Sequence, residues 1–79
     1  MNNRHINASS IKSGTAFEVK GELREQLRCS SLLYFDNYDE ACSMVRLVDR
    51  ETERGYNMTV NAFESEIKKG TLKLYAEWM

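Results

Sequence analysis

A chain of 79 residues with no proline, two cysteines and one histidine is long enough for one small domain with a modest core. Its 11 Lys and Arg residues are balanced by 12 Asp and Glu, so bulk charge predicts neither a nucleic-acid-binding nor a membrane-surface protein. No apolar run approaches the roughly 20 residues that cross a bilayer, and no secretory signal precedes the cysteines. We therefore expect a cytoplasmic protein with reduced thiols and no membrane partner.

The residue types that carry chemistry form no recognisable motif. Cys29 and Cys42 lack a CxxC spacing and His5 lies apart from both, so we expect no metal site. The acidic segment 36–40 lacks the central glycine of a calcium loop, and the glycines do not form a phosphate-binding loop. No Ser–His or Cys–His relay can be drawn. We expect no catalytic residue, no cofactor and no small-molecule substrate.

The N-terminal half predicts two strands after a flexible start. Residues 1–13 show no periodicity and are predicted to be a flexible lead-in to a single domain over 14–79. Phe17 and Val19 alternate with polar residues, which predicts a first strand entered through a turn at Ser13 and Gly14. Residues 22–28 fit either a short helix or an irregular loop. A second strand is predicted over 29–35, ending at the turn-prone residues 36–37.

The segment 37–54 supports two interpretations. In the first, 44–48 and 56–60 are the strands of a hairpin, whose charged turn ends at Gly55 with a positive φ. In the second, Ala41, Val45 and Val48 share one face of a helix over 37–54. The density of β-branched and apolar residues over 44–48 favours the hairpin.

The C-terminal part predicts a short helix followed by a strand. Asn61 and Glu64 have the spacing of a capping box, and Gly70 is placed to end the helix. A period-2 pattern then predicts a final strand with one buried face, carrying Leu72, Leu74, Ala76 and Trp78. In the predicted core, Val45 and Leu47 face Tyr56, Met58 and Val60, and the remaining members are Phe17, Val19, Leu33, Phe35, Phe63, Ile67, Leu72 and Leu74.

Five short strands with a helical turn before the last one predict a mainly-β fold, and this order resembles that of small SH3-like barrels. The alternative is an α+β fold in which a helix over 37–54 lies on a small sheet. From SGTAF at 13–17 through the hairpin to FESEIKKGTL at 63–72, the chain also resembles the small β-barrel modules of Mu- and Tn7-type transposases and of phage genomes. The resemblance implies a binding role without catalysis, because the chain has no counterpart of a transposase's acidic triad.

Two groups of side chains are candidates for binding. Six basic residues are expected to contact the phosphates of DNA if the hairpin tip and the helix end lie on one side; they are Arg46, Arg50, Arg54, Lys68, Lys69 and Lys73. Four aromatic residues exceed what the core needs and predict a protein-binding surface opposite the core or at the C-terminus; they are Tyr34, Tyr38, Tyr75 and Trp78.

Together these features predict a non-enzymatic binding module of phage or mobile-element type that docks on another protein or on DNA. An alternative is a small inhibitor or regulator of a host enzyme, whose acidic segment 36–40 would mimic phosphate. The α+β fold would instead suit an interaction or dimerisation unit. An exposed final strand would also allow two copies to pair edge to edge.

Overall fold

Alternating apolar residues form the strands of one antiparallel sheet in a computed structural model, which describes residues 8–76, with side chains to residue 75. The strands are β1 (Ala16–Val19), β2 (Leu32–Asp39), β3 (Met44–Asp49), β4 (Arg54–Thr59) and β5 (Leu72–Ala76). The helices are a 3-10 turn at Ala8–Ser10, α1 (Gly21–Leu27) and α2 (Val60–Lys69). The order across the sheet is β4-β3-β2-β1-β5, so β1 to β4 lie side by side in chain order and β5 returns beside β1. The mainly-β prediction, with five strands and a helix before the last one, is confirmed.

The alternative helix over 37–54 is wrong. Burial alternates along β3, where Val45 and Leu47 are buried and Arg46 is exposed, which is the period of a strand. Val45 pairs with Met58 and Leu47 pairs with Tyr56 across the predicted hairpin. Burying these side chains against β4 outweighs the helical pattern, because that pattern would leave Leu47 off the buried stripe. The α+β fold is therefore wrong, whereas an interaction or dimerisation role stays a prediction.

A β-bulge replaces the turn predicted at 36–37. Phe35 pairs with Leu47 and Asn37 pairs with Arg46, so Asp36 is an extra residue in β2 and the strand continues to Asp39. The extra residue reverses which positions face the core beyond it. Tyr38 consequently pairs with Val45 and packs against the core, and the prediction that Tyr38 lies opposite the core is wrong.

The core lies between one face of the sheet and α2. Phe63 of α2 is fully buried, and its ring contacts Phe17 edge to face at a centroid distance of 5.5 Å and Phe35 at 6.1 Å. Other side chains buried in this core are Val19, Leu23, Leu33, Val45, Leu47 and Leu72. Ile67 is only half-buried, and Leu74 is 38% exposed because it lies on an edge strand, so its predicted core position is wrong.

Helix α2 begins two residues earlier than the predicted capping box indicates. The Thr59 side-chain oxygen accepts a hydrogen bond from the Ala62 N–H at 3.1 Å, so Thr59 is the N-cap and the capping box predicted at Asn61 is wrong. Gly70 ends the helix as predicted, with φ at 86°, and its N–H donates to the carbonyls of Glu66 and Ile67. None of the helices in 8–76 is long and apolar enough to cross a bilayer.

Three non-glycine residues in the described chain adopt a left-handed backbone conformation. Arg28 ends α1 with φ at 54°, Ser43 lies in the β2–β3 turn at 56°, and Glu53 lies in the β3–β4 turn at 64°. The positive φ predicted at Gly55 is therefore found at Glu53, and Gly55 is part of β4. This conformation costs an L-amino acid roughly 1–2 kcal/mol, which pairing along the flanking strands offsets.

The domain limits predicted at 1–13 and 14–79 remain a prediction, since residues 1–7 lie outside the described chain. Within the described part of the lead-in, Ala8 is buried and Ile11 packs against the core. The Ile11 N–H donates to the Ala8 carbonyl at 3.3 Å. The packing of the domain therefore includes residues that precede the turn at Gly14.

The Tyr56 hydroxyl is buried and has no hydrogen-bond partner among the residues of 8–76. Burying a hydroxyl without a partner costs free energy, so we expect Tyr56→Phe to leave the free energy of unfolding unchanged or raise it by up to about 1 kcal/mol. For a domain of this size, thermal unfolding should then show a melting temperature up to roughly 4–8 °C higher. Tyr75→Phe, at a side chain that is 63% exposed, is the control and should have no effect. A loss of more than 1 kcal/mol in Tyr56→Phe would mean that the hydroxyl is paired.

Candidate binding surfaces

The sheet face opposite α2, called here the outer face, carries half-buried apolar side chains at its centre. Leu32, Tyr34 and Val48 alternate with core positions along β2 and β3, and Tyr34 and Val48 are direct cross-strand partners. Both helices and the 3-10 turn contribute their buried or partly buried apolar side chains to the core on the other face. The outer face therefore presents a partly apolar surface on rigid strands.

Arg50 and Tyr34 form a stacked pair on the outer face. The Arg50 guanidinium carbon lies 3.8 Å from the centre of the Tyr34 ring. Arg50 follows β3 two residues after Val48, so its side chain lies on the same face of the sheet as Val48. This places it over the Tyr34 ring of the neighbouring strand β2. Such a cation–π contact at an exposed site contributes roughly 0.5–1 kcal/mol, and it restrains the guanidinium above the Tyr34 ring.

A second guanidinium lies on the outer face because β4 has a glycine at that point. An added Cβ at Gly55 would overlap the Arg46 guanidinium, so the missing side chain provides the space that Arg46 occupies. The Arg46 Nε lies 3.5 Å from the Asp36 carboxylate, and both side chains are about half exposed. The pair is therefore weak, but it partly neutralises Arg46.

The structure does not bring the six predicted basic residues onto one surface. Arg46 and Arg50 share the outer face, and Arg54 begins the edge strand β4 in the opposite alternating set, paired with Asp49. Lys68 and Lys69 lie at the C-terminal end of α2, and Lys73 lies on β5, the strand at the other edge of the sheet from β4. Lys69 is 3.4 Å from the Glu66 carboxylate. The predicted continuous phosphate-binding patch is therefore divided into at least two separate groups.

The four predicted aromatic residues are also dispersed. Tyr34 lies on the outer face, Tyr38 packs on the core because of the bulge, and Tyr75 is exposed on β5. Trp78 lies outside the described residues. Among the three of these residues that the structure describes, Tyr34 is the one in contact with a second candidate residue, Arg50.

Sequence reasoning missed a groove along β5, called here the β5 groove. It has a volume of about 590 Å³ and is lined by Lys20, Ile67, Lys68, Gly70, Leu72, Lys73 and Leu74. Lys20 is the residue that no sequence pattern indicated, because it becomes a neighbour of β5 only when β1 and β5 pair. The groove combines apolar side chains with positive charge.

Sequence reasoning also missed Asp49. The Asp49 carboxylate is fully buried and accepts hydrogen bonds from the backbone N–H groups of Ser30 at 2.8 Å, Glu51 at 2.9 Å and Thr52 at 3.3 Å. Burial alone would raise the pKa of Asp49, but these bonds to the charged form outweigh burial and lower it. Asp49 thereby ties the loop at 29–31 to the turn that carries Arg50. The sequence signal that could have indicated this role is an Asp at the end of a strand and directly before a polar turn, where its carboxylate can accept hydrogen bonds from turn N–H groups.

The two thiols are not poised for nucleophilic chemistry. Burial raises the pKa of Cys29, and a hydrogen bond with the Asp39 side chain raises the pKa of Cys42. Both shifts reduce the fraction of reactive thiolate near neutral pH. Within residues 8–76, no group of three or more His, Cys, Asp or Glu side chains is placed to hold a metal ion.

Comparison of the chain with protein-family models, with curated proteins and with solved structures finds no match in any of the three. The fold defines the chain as a small mainly-β domain of five antiparallel strands. Any function must therefore be argued from its surfaces.

Proposed function

We propose that the chain is a non-enzymatic binding module, of phage or mobile-element type and cytoplasmic, that docks on another protein through its outer face. The observation that carries this proposal is the stacking of Arg50 on Tyr34 at 3.8 Å, on a face that carries neither α1 nor α2. Tyrosine and arginine are enriched among the residues that dominate binding energy at protein interfaces. Half-buried Leu32 and Val48 supply apolar area beside the pair.

A protein partner suits the outer face better than duplex DNA does. The net charge of the chain is −1, and Asp36 lies beside one of the two arginines of the face. Duplex binding depends on neutralising several phosphates, and two arginines with one nearby carboxylate supply little of that charge. Apolar contact area with a few fixed polar groups is what a protein interface needs.

Photo-crosslinking tests the proposal. A benzophenone amino acid at position 48 would sit beside Arg50 and Tyr34, and a lysate of the natural host would supply the partner. We expect one crosslinked protein whose yield falls at least tenfold in Arg50→Ala and in Tyr34→Leu. Arg54→Ala is the matched control. It removes an arginine from the same hairpin, but from a position that does not belong to the outer face. Arg50→Lys keeps the charge and should still lose most of the yield, because lysine cannot stack as a plane. A crosslinking yield that stays unchanged in Arg50→Ala and Tyr34→Leu would refute the proposal.

Single-stranded nucleic acid is the second candidate, since a base can stack on the same platform while Arg46 and Arg50 contact phosphates. We expect oligo-dT binding measured by fluorescence anisotropy to weaken with salt, with a log–log slope of about −1.4 for two phosphate contacts. Arg46→Ala/Arg50→Ala should abolish binding, and Arg54→Ala should weaken it little. Absence of binding at low salt would remove this candidate.

The inhibitor hypothesis has less support. Two carboxylates of the acidic segment already have partners inside the domain. Asp36 lies beside Arg46, and the Asp39 carboxylate accepts a hydrogen bond from the Ala41 N–H at 3.1 Å. These contacts reduce the charge available to mimic phosphate. If the domain inhibits a basic host protein and Arg50→Ala leaves that inhibition unchanged, the inhibitor hypothesis would be favoured over the outer-face proposal.

A further inference from the structure

The edge strand β4 carries its outward backbone N–H groups on exposed residues. The Val60 N–H donates to the Ser43 carbonyl at 2.9 Å, which marks these two residues as a hydrogen-bonded pair that continues the β3–β4 ladder. Because such pairs alternate, the even-numbered residues of β4 use their backbone groups to pair with β3. The odd-numbered residues are Gly55, Asn57 and Thr59, and they direct their N–H groups toward the free edge of the sheet. All three are exposed.

The side chains along this edge are mostly apolar or neutral. Tyr56, Met58 and Val60 are half-buried and pack against the core, so they form its rim at the β4 edge. Lysine, proline and other charged residues commonly protect an edge strand from pairing, and β4 has only Arg54 of this kind. At the other edge of the sheet, Leu72 of β5 is 1% exposed, so the final strand is covered at that residue. The open edge of the sheet is therefore β4.

Two registers let two copies of the chain pair along most of this edge. The outward N–H groups of both strands must meet, so a twofold axis passes through Tyr56 or through Asn57. With the axis at Tyr56, Met58 lies opposite the charged Arg54 of the second copy. With the axis at Asn57, Met58 lies opposite the tyrosine, Arg54 lies opposite Val60, and the two arginines are at opposite ends of the interface. Cross-strand pairing therefore favours the axis at Asn57.

The outer face favours the same register. The Arg46 guanidinium lies over Gly55, so the distance between the two Gly55 residues sets the distance between two like charges. With the axis at Asn57, Gly55 lies opposite Thr59 of the second copy, and the two glycines are roughly 14 Å apart along the strands. With the axis at Tyr56, this separation falls to roughly 7 Å. The Asn57 register also places two side-chain amides next to each other, and each has both a donor and an acceptor.

We propose that two copies of the chain pair through β4 about a twofold axis at Asn57, which joins two five-stranded sheets into one. The two Asn57 residues exchange backbone hydrogen bonds, and each Thr59 N–H donates to the opposite Gly55 carbonyl. The Thr59 carbonyl stays with α2, because Thr59 is the N-cap of that helix. Since the axis is perpendicular to the sheet, the two outer faces lie on the same side and form one continuous surface. The inference concerns the β4 edge and does not depend on the proposed function of the outer face.

Sedimentation velocity of the whole chain over roughly 5–500 µM tests the proposal. We expect a reversible dimer with a Kd of roughly 10–100 µM, because one pair of short strands buries less surface than a standard interface. Asn57→Lys and Asn57→Glu each place two like charges directly opposite each other, so each should weaken the dimer at least tenfold. An equimolar mixture of the two variants should regain the dimer, because opposite charges then face each other across the axis.

Asn37→Lys and Asn37→Glu are the matched controls. Asn37 is also exposed on the outer face, but it lies on β2, which is not an edge strand. Both controls should leave the association unchanged, and so should Arg50→Ala, which separates a failure here from a failure of the outer-face proposal. A wild-type chain that stays monomeric over the whole range, a dimer that persists in Asn57→Lys, or a mixture that stays monomeric would overturn the inference.

Amide hydrogen exchange at low and high protein concentration locates the contact. The N–H groups of Asn57 and Thr59 should exchange more slowly at high concentration, since they are bonded in the dimer. The Met58 N–H is already bonded in the β3–β4 ladder and should change little. Slower exchange on β5, with no change at Asn57 and Thr59, would place the contact at the other edge and contradict the proposal.

Discussion

Phe63→Ala should unfold a large fraction of the protein at 37 °C, because this ring is the main contribution of α2 to the core. Phe63 is fully buried and contacts the rings of Phe17 and Phe35, which come from two strands of the sheet. Truncating a buried phenylalanine costs about 3–5 kcal/mol in lost burial and a residual cavity. A domain of this length has a total stability of roughly 4–12 kcal/mol, so the loss is a major part of it.

Urea unfolding followed by far-ultraviolet circular dichroism measures the effect of Phe63→Ala. Phe63→Leu should cost about 1–2 kcal/mol, because it keeps most of the apolar volume. Ser65→Ala, at an exposed position of the same helix, should change the free energy of unfolding by less than about 0.5 kcal/mol. A loss below 1 kcal/mol in Phe63→Ala would show that α2 does not cover the core as described.

Asp49→Asn should cost about 2–3 kcal/mol at pH 7, because the amide cannot accept all three backbone N–H groups that the carboxylate satisfies. The effect should depend on pH. The pKa of Asp49 is lower in the folded protein than in the unfolded chain, so its stabilisation is complete above the unfolded value of about 3.9. The stabilisation is then lost as the pH falls through the lower folded value. The difference between wild type and variant should therefore shrink below about pH 4.

Urea midpoints for wild type and Asp49→Asn at pH 7, 5 and 3 test this expectation directly. Other carboxylates titrate in both proteins, so the difference between the two curves isolates Asp49. Glu22→Gln, at an exposed carboxylate of α1, should give a nearly constant difference close to zero. A difference that stays the same from pH 7 to pH 3 would contradict the role assigned to the charged form of Asp49.

Local patterns predicted most of the fold, and pairing between distant strands decided the rest. The density of β-branched and apolar residues over 44–48 favoured β3 over a helix, and Gly70 was enough to predict the end of α2. The bulge at Asp36 depends on how β2 pairs with β3, which no pattern within β2 reveals. The local signal for a turn at this point was outweighed by continued pairing along β3.

The candidate sites were less predictable than the fold, because each joins residues that are far apart in the sequence. Arg50 and Tyr34 were both candidates, but their contact depends on the β2–β3 register. Lys20 and Asp49 were missed, since the first gains its role from the β1–β5 pairing and the second from a loop 19 residues away. Composition alone could not reveal that Arg46 occupies the space above a glycine.

The left-handed residues at Ser43 and Glu53 bear on how the domain reaches its native state. The left-handed backbone is costly in both turns, but the carboxylates of Asp39 and Asp49 offset part of that cost by accepting hydrogen bonds from turn N–H groups. Stable closure also needs apolar contacts with α2, which directly follows β4, and with β1, which is distant in the sequence. Folding should accordingly be a single cooperative event with high contact order, and isolated hairpin fragments of this chain should stay unstructured.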